Sequence, residues 1–491
     1  MSKDSRKTLG GQIRHGVVWS TLDVAVNRTG GFLLGLIVAR LLDPHDFGIY
    51  AVALVVHAIV INVSDLGVGT ALVRDDEETA RAAGPTVATI ALATSVVLGV
   101  LMALSASSLA RLLGAPTATS TIEVMAITLP LAGVAAVPTA LLRRGFRMDT
   151  MFVADTANTS VSALVVILLA VAGWGPLSLA WSFVAGQLVT TVILLFKSPA
   201  RFWPGWDRRE ARRLLRFGVP LVGANVLGYS IQNVDYIIVG RVMGAVSLGF
   251  YMLAFNISGW PQNVFSSVVR NVSLPAFSRL REQGADMAGY FTAALRNVAR
   301  VTLPVCLFLA ALAHPLVVTV YGSKWGTAST ALVGLAVLGA ARTILELLSD
   351  FLVSLGRTRA VLFFQVAWLP ALIVALLVLV HSSGIAGAGY AHAAVSCLVV
   401  VPLVIYLVRR AGVPSLMVIR ALLPALGWAA ATAWLAWYVA SQIRTPLLAC
   451  AAGGTVATAV YVLPYLTDAR RAFATELARR RANRAPLAEA A

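Results

Sequence analysis

VARLLDPHDFGIYAVA (38–53) and VGRVMGAVSLGFYMLA (239–254) align without a gap at an offset of 201 residues. Val38/Val239, Arg40/Arg241, Gly48/Gly249, Tyr50/Tyr251 and Ala53/Ala254 are identical, and Asn62/Asn263 with Val63/Val264 extend the register. Two apolar helices can resemble each other by chance, but a shared frame of arginine, seven residues, glycine, any residue, tyrosine argues for an internal repeat. Six spanning helices per copy is an even number. Both copies then run the same way through the membrane, related by an axis along its normal.

The composition around these segments demands a membrane. Of 491 residues 58% are hydrophobic and 12% charged, with a mean hydropathy of +0.82; soluble chains carry about 25% charged residues. The net charge of +17 sits in short segments between apolar runs, with no amphipathic basic face or nucleic-acid motif, so nucleic acid is not a partner. Cys306, Cys397 and Cys450 lie in three different apolar runs without metal spacing and read as buried free thiols.

A spanning helix needs about 20 apolar residues. Fourteen such runs fall near 14–41, 47–73, 85–110, 120–142, 150–172, 176–196, 213–240, 247–274, 289–319, 326–353, 359–381, 386–408, 420–440 and 446–466. The first carries Asp23, Asn27 and Arg28 in its middle and is too long for a cleaved signal, so it is expected to stay as a span. With the N-terminus inside, 29 Lys and Arg fall in cytoplasmic segments against 5 outside (Arg40, Arg111, Arg241, Lys324 and Arg444). Both termini are therefore expected to be cytoplasmic. The expected organisation is an N-lobe over 1–200, a C-lobe over 201–412, and a helix pair with a basic tail over 413–491. The linker 197–212 reads as an interfacial basic segment. Trp203 and Trp206 suit the headgroup layer, and Asp207 with Glu210 suits a capping box opening a short Arg-rich helix.

Polar side chains inside spans are costly in lipid, so each is a candidate for function. In the eighth span Asn256, Trp260, Asn263, Ser267, Arg270 and Asn271 fall within about 100° of one another and are expected to face a hydrated cavity. Asn225, Tyr229, Gln232 and Tyr236 form a narrower stripe on the seventh, flanked by Asn233 and Asp235. Asn27, Arg28 and Asn62 join the candidate cavity residues. Arg296 and Arg300, one turn apart, suit either a phosphate clasp or snorkelling to the cytoplasmic surface. Arg342, Glu346 and Asp350 recur every four residues and read as an internal ion-pair ladder. His57, His314 and His381 have no metal spacing and receive no role.

No phosphate loop of the form GxxxxGK[ST], no nucleophile elbow and no HExxH occurs. The chain is expected to be no enzyme and to hold no cofactor. Directional transport would then need an acidic group that exchanges H+ or Na+, and Asp23 and Asp235 are the candidates.

ARLLDPHDFGIYAVALVV (39–56), SDLGVGTALVR (64–74), NVDYIIVGRVMGAVSLGFYMLAFNI (233–257), LPAFSRL (274–280) and VYGSKWGTAS (320–329) together resemble the Wzx-type polysaccharide flippases of the multidrug/oligosaccharidyl-lipid/polysaccharide exporter superfamily. The resemblance implies an all-α polytopic bundle of about fourteen helices in two parallel lobes around a central cavity. It also implies an undecaprenyl-pyrophosphate-linked oligosaccharide as substrate, destined for lipopolysaccharide or exopolysaccharide. A polymerase and glycosyltransferases of the same pathway would be the partners, and a bacterial inner membrane the location. The extra C-terminal pair is similar to the fourteen-span peptidoglycan-precursor flippases, which keeps lipid II open as a substrate. A multidrug exporter of the superfamily would favour an acidic, aromatic pocket. A lipid-linked glycosyltransferase or polymerase would need catalytic carboxylates in a large loop.

Overall fold

The computed structural model describes residues 29–64, 77–200, 203–284 and 286–464, together with Trp19, Leu22, Val26, Asn27, Leu66, Val68, Gly69 and Leu72. Side chains at 77–81, 217, 220–221, 224–225, 227, 230–232, 262–272 and 274–275 lie outside the description. The described residues are helical almost throughout, without strand. Eleven helical stretches among them are long and apolar enough to cross a membrane, with the shorter apolar helix Thr29–Leu41 beside them. The outer surface carries large apolar side chains such as Leu104 (79% exposed) and Leu398 (76%), which water would penalise and acyl chains do not. Cys397 is exposed on that surface while Cys306 is buried, so the expectation of three buried thiols fails at Cys397.

Contacts divide the chain into two compact units, residues 1–252 and 253–491. The first holds α1 (Thr29–Leu41), α2 (Pro44–Ser64), α3 (Glu77–Leu112), α4 (Thr119–Ala126), α5 (Thr128–Arg144), α6 (Met148–Val171) and α7 (Pro176–Lys197). It also holds the first part of α8 (Arg208–Glu282). Pro44 opens α2 at a position that needs no N–H, and Asp46 reaches back to accept from the Asp43 N–H at 3.2 Å. Gly186 of α7 meets Ser162 and Asn158 of α6 where any Cβ would collide. Ser162 Oγ donates to Ser182 O (3.0 Å) and Asn158 Nδ2 to Thr190 Oγ1 (2.9 Å). Small residues and interhelical hydrogen bonds substitute here for a hydrophobic drive that lipid does not supply.

The seventh and eighth expected spans are one helical stretch interrupted at Gly244 (φ 79°, ψ 179°). In a continuous helix Asp235 and Tyr251 would be about 24 Å apart along the axis. Their side chains instead bond at 2.6 Å, so the chain folds back at Gly244 into a hairpin. Gly384 (φ 62°) interrupts α12 (Thr358–Val395) in the same way, separating the eleventh and twelfth spans. Both turns need the positive φ that glycine alone adopts freely.

The repeat frame has a direct structural meaning. A Cβ on Gly48 would run into the carbonyl oxygen of Ala245, and a Cβ on Gly249 into that of Pro44. Pro44 and Ala245 are themselves equivalent at the 201-residue offset, so the contact maps onto itself. Nearby, Arg241 Nη1 donates to the carbonyl of Arg111 at the end of α3 (3.2 Å), an end that needs such donors.

The linker before α8 departs from expectation in two ways. Asp207 Oδ1 accepts from the Arg209 and Glu210 N–H groups at 2.7 and 3.2 Å, which is one half of the capping box. The Asp207 N–H donates to Thr86 Oγ1 (3.1 Å) and Glu210 holds Arg213 instead, so the reciprocal half is absent. The Arg-rich helix is also not short: it continues without a break into the seventh span.

The second unit comprises the rest of α8, α9 (Met287–Ala311), α10 (Ala313–Tyr321), α11 (Ala328–Ser354), α12, α13 (Val401–Arg410), α14 (Ser415–Ser441) and α15 (Pro446–Pro464). Phe277, Phe291 and Phe351 pack together in its core, the last two with ring centroids 4.3 Å apart. The C-terminal pair docks on α9 through Leu312, Ala436, Ala440, Ala449 and Ala457. Pro304 inside α9 lacks the N–H that would serve the carbonyl of Arg300. Tyr461 Oη donates to that carbonyl at 2.7 Å.

Because Gly48 and Gly249 meet backbone and not flexible side chain, Gly48→Ala and Gly249→Ala are each expected to cost about 1–3 kcal/mol. Both should lower the thermal midpoint of the purified protein. Gly427, in α14 with nothing within 4 Å of a built Cβ, is the control. Gly427→Ala is expected to be neutral or to stabilise by up to about 1 kcal/mol. Equal midpoints for all three variants would refute the crossing.

Candidate functional site

In the first unit some candidate polar residues bond across helices and others return to the backbone of their own helix. Asn27 Oδ1 accepts from Thr159 Oγ1 of α6 at 2.7 Å, and Gly30 of α1 sits against the same threonine. Asn62 Nδ2 returns to the Ala58 carbonyl of its own helix at 2.7 Å. Tyr229 is half-buried, and its carbonyl accepts from Asn233 Nδ2 at 2.8 Å. Asp235 is 1% exposed. Its Oδ2 accepts from Tyr251 Oη, and its Oδ1 from the Tyr236 N–H at 2.9 Å. The rings of Tyr236 and Tyr251 meet edge to face at 5.6 Å. A carboxylate is thus sealed between the two arms of the Gly244 hairpin. Asp23 and Arg28 lie outside the described residues, as do the side chains of Asn225 and Gln232.

In the second unit Asn256 is exposed and Trp260 half-buried, the latter 6.5 Å from the ring of Tyr321. Asn263, Ser267, Arg270 and Asn271 continue the same helix, with side chains outside the description. Only the first two members of the expected polar stripe are therefore described. Arg296 and Arg300 are both exposed on α9.

Sequence reasoning gave Arg342 a ladder role, and the structure adds a ring beneath it. Its guanidinium lies 5.5 Å above the centre of Phe255, next to Asn256, and His392 is 6.5 Å from the same ring. A cation over an aromatic face is held electrostatically. A charge inside the apolar run that forms α11 was the signal for this group. His57, given no role, is buried; its Nε2 lies 2.7 Å from Thr128 Oγ1 and its ring is edge-on to Phe183. It joins α2, α5 and α7.

A recess of about 840 Å³ opens in the second unit, lined by His314, Ser329, Tyr390, Trp434, Trp437 and Arg444 among others. None of the expected site residues lines it. It exists because α14 and α15 stand against α9–α12, a placement that the repeat could not foretell. Among the described residues no cluster of His, Cys, Asp or Glu is placed to hold a metal ion.

Comparisons with known proteins agree with this architecture. The fold is that of the lipid II flippase MurJ in its inward closed conformation, with a TM-score of 0.75 at 14% identity, covering 92% of this chain and 99% of that one. The succinoglycan biosynthesis transport protein ExoT of Rhizobium meliloti (strain 1021) is 27% identical over 327 residues. That alignment spans 64% of each chain, just under two thirds. The lipopolysaccharide biosynthesis protein WzxC of Escherichia coli (strain K12) is 24% identical over 378 residues, 73% of this chain and 74% of that one. Residues 37–330, more than half of the chain, match the family described as polysaccharide biosynthesis protein, and the chain is a member of that family.

Proposed function

We propose that this chain is a flippase that carries an undecaprenyl-pyrophosphate-linked oligosaccharide from the cytoplasmic to the outer leaflet of a bacterial inner membrane for surface polysaccharide assembly. The family match over residues 37–330 carries the reading, and the transport name of the relative ExoT supports it. The physical problem fits the residues. A pyrophosphate and a sugar chain cannot cross hydrocarbon unaided, because each unsatisfied polar group costs several kcal/mol there. Arginines and amides replace water around the headgroup while the polyprenyl tail stays in the bilayer.

In this reading Asn256, Trp260, Asn263, Ser267 and Arg270 line the path of the headgroup together with Asn225, Tyr229 and Gln232 of the same repeat copy, and Asn27, Arg28 and Asn62 of the first copy also serve it. Arg342 joins them through its contact with Phe255. Arg296 and Arg300 receive the pyrophosphate at the cytoplasmic surface. The lobes follow the repeat, 1–200 and 201–412, and both termini are cytoplasmic. No bond is made or broken by the chain. The polymerase and glycosyltransferases of the pathway consume and supply the substrate, and Asp23 or Asp235 couples movement to H+ or Na+.

Arg270→Ala is expected to reduce surface glycan export at least tenfold with protein level unchanged, the scale of one lost hydrogen bond to a charged group, about 1.5–3 kcal/mol. Arg270→Lys should restore only part of it, lacking the planar fork. Wild-type export from the alanine variant would remove Arg270 from the path. A cysteine at Asn256 is expected to react with a small aqueous thiol reagent faster than one at Leu253, which is 4% exposed. Equal rates would mean that Asn256 faces lipid. In reconstituted vesicles, flipping by wild type should respond to an H+ or Na+ gradient and flipping by Asp235→Asn should not. Indifference of wild type to both gradients would leave facilitated flipping without coupling.

A further inference from the structure

The start of α8 is built as a platform. Residues 203–207 are bonded to α3, where the Gly205 N–H donates to Pro85 O (3.1 Å) and Thr89 Oγ1 donates to Gly205 O (2.7 Å). The bond from the Asp207 N–H to Thr86 and the Asp207 cap then fix the first turn of the helix. Ala211 and Leu214 are buried beneath it with Leu72, Val87, Ile90 and Val137. The opposite face presents Arg209, Arg212, Arg213 and Arg216, which fall within about 100° of one another on a helical wheel and line a shallow recess of about 520 Å³.

These four cations are not balanced by the protein. Arg213 is held by Glu210 through Nε at 3.0 Å and Nη2 at 2.7 Å. Arg209, Arg212 and Arg216 have no acidic partner among the described residues. Like charges one turn apart destabilise a helix, so the arrangement calls for an external anion, and guanidinium forks suit phosphate oxygens. A second, independent observation points to a lipid as its source. Trp203 and Trp206, immediately before the helix, are 86% and 63% exposed. Indole rings left outside a fold are at home at the glycerol level of a bilayer.

Direction separates this patch from the transport path. Asn225, Tyr229 and Gln232 lie further along the same unbroken helix, roughly 180° around the wheel from the centre of the arginine face. The arginines therefore point away from the residues assigned to the cargo. We propose that Arg209, Arg212 and Arg216 form a binding site for the phosphate of a resident anionic phospholipid of the inner leaflet. Trp203 and Trp206 set its depth, and the linker stitched to α3 holds it in place. Basic residues that serve only to orient the chain need neither the stitching nor the flanking tryptophans.

The test is native mass spectrometry of the full-length chain in neutral detergent, titrated with phosphatidylglycerol or with phosphatidylcholine of the same acyl chains. Wild type is expected to retain phosphatidylglycerol preferentially. R209Q/R212Q/R216Q should lose that preference by on the order of fivefold for each arginine removed. R279Q/R409Q/R420Q removes the same charge from other cytoplasmic segments and should keep it. If the first triple variant does not fold, R209K/R212K/R216K retains the charge and is expected to bind several-fold more weakly than wild type. Equal losses in the two glutamine variants, or no preference in wild type, would overturn the site. Displacement of phosphatidylglycerol by an equimolar polyprenyl pyrophosphate would overturn the resident lipid and make the patch a landing point for the cargo.

Discussion

The crossing of Gly48 with Ala245 and of Gly249 with Pro44 is the constraint on which the arrangement of the first unit depends. It is isologous: each segment offers the other the surface that it receives. Two helix starts approach until backbone meets backbone, which no residue with a Cβ permits. Once that approach is fixed, Gly244 must turn tightly. Arg241 is then brought to the end of α3, and Tyr251 is carried back to Asp235. Helices in lipid gain little from burying apolar surface against one another, so close approach of this kind carries much of the specificity.

The polar groups of the first unit divide by how completely the protein satisfies them. Asp235, Asn27 and His57 each find a partner on a neighbouring helix. Such bonds cement a bundle, and the one between Asp235 and Tyr251 ties together the two arms of one hairpin. In the second unit Arg342 is steadied by the Phe255 ring beneath its guanidinium.

Much of this was legible in the sequence, for identifiable reasons. Spans are written in length and hydropathy, and the described helices fall where the apolar runs fall, with the breaks after the seventh and eleventh runs at Gly244 and Gly384. The repeat frame was visible because Gly48 and Gly249 cannot vary at a backbone crossing. What the sequence could not supply was partnership. Nothing in the spacing of Asp207 and Glu210 says that Thr86 takes the Asp207 N–H, leaving Glu210 to Arg213. Nor could helical wheels find the recess beside α14, whose walls come from segments more than a hundred residues apart.

The bond from Tyr461 to the carbonyl of Arg300 sets an order of events during synthesis. Pro304 leaves that carbonyl without its helical donor as soon as α9 enters the membrane, yet the hydroxyl that serves it is encoded 161 residues later. At a translation rate of roughly 5–20 residues per second, the gap lasts roughly 8–30 s. During that interval water or a transient neighbour must serve the Arg300 carbonyl. α15 is therefore a latch: its arrival supplies the donor that Pro304 withholds, and a ribosome that stalls before α15 leaves the Arg300 carbonyl without it.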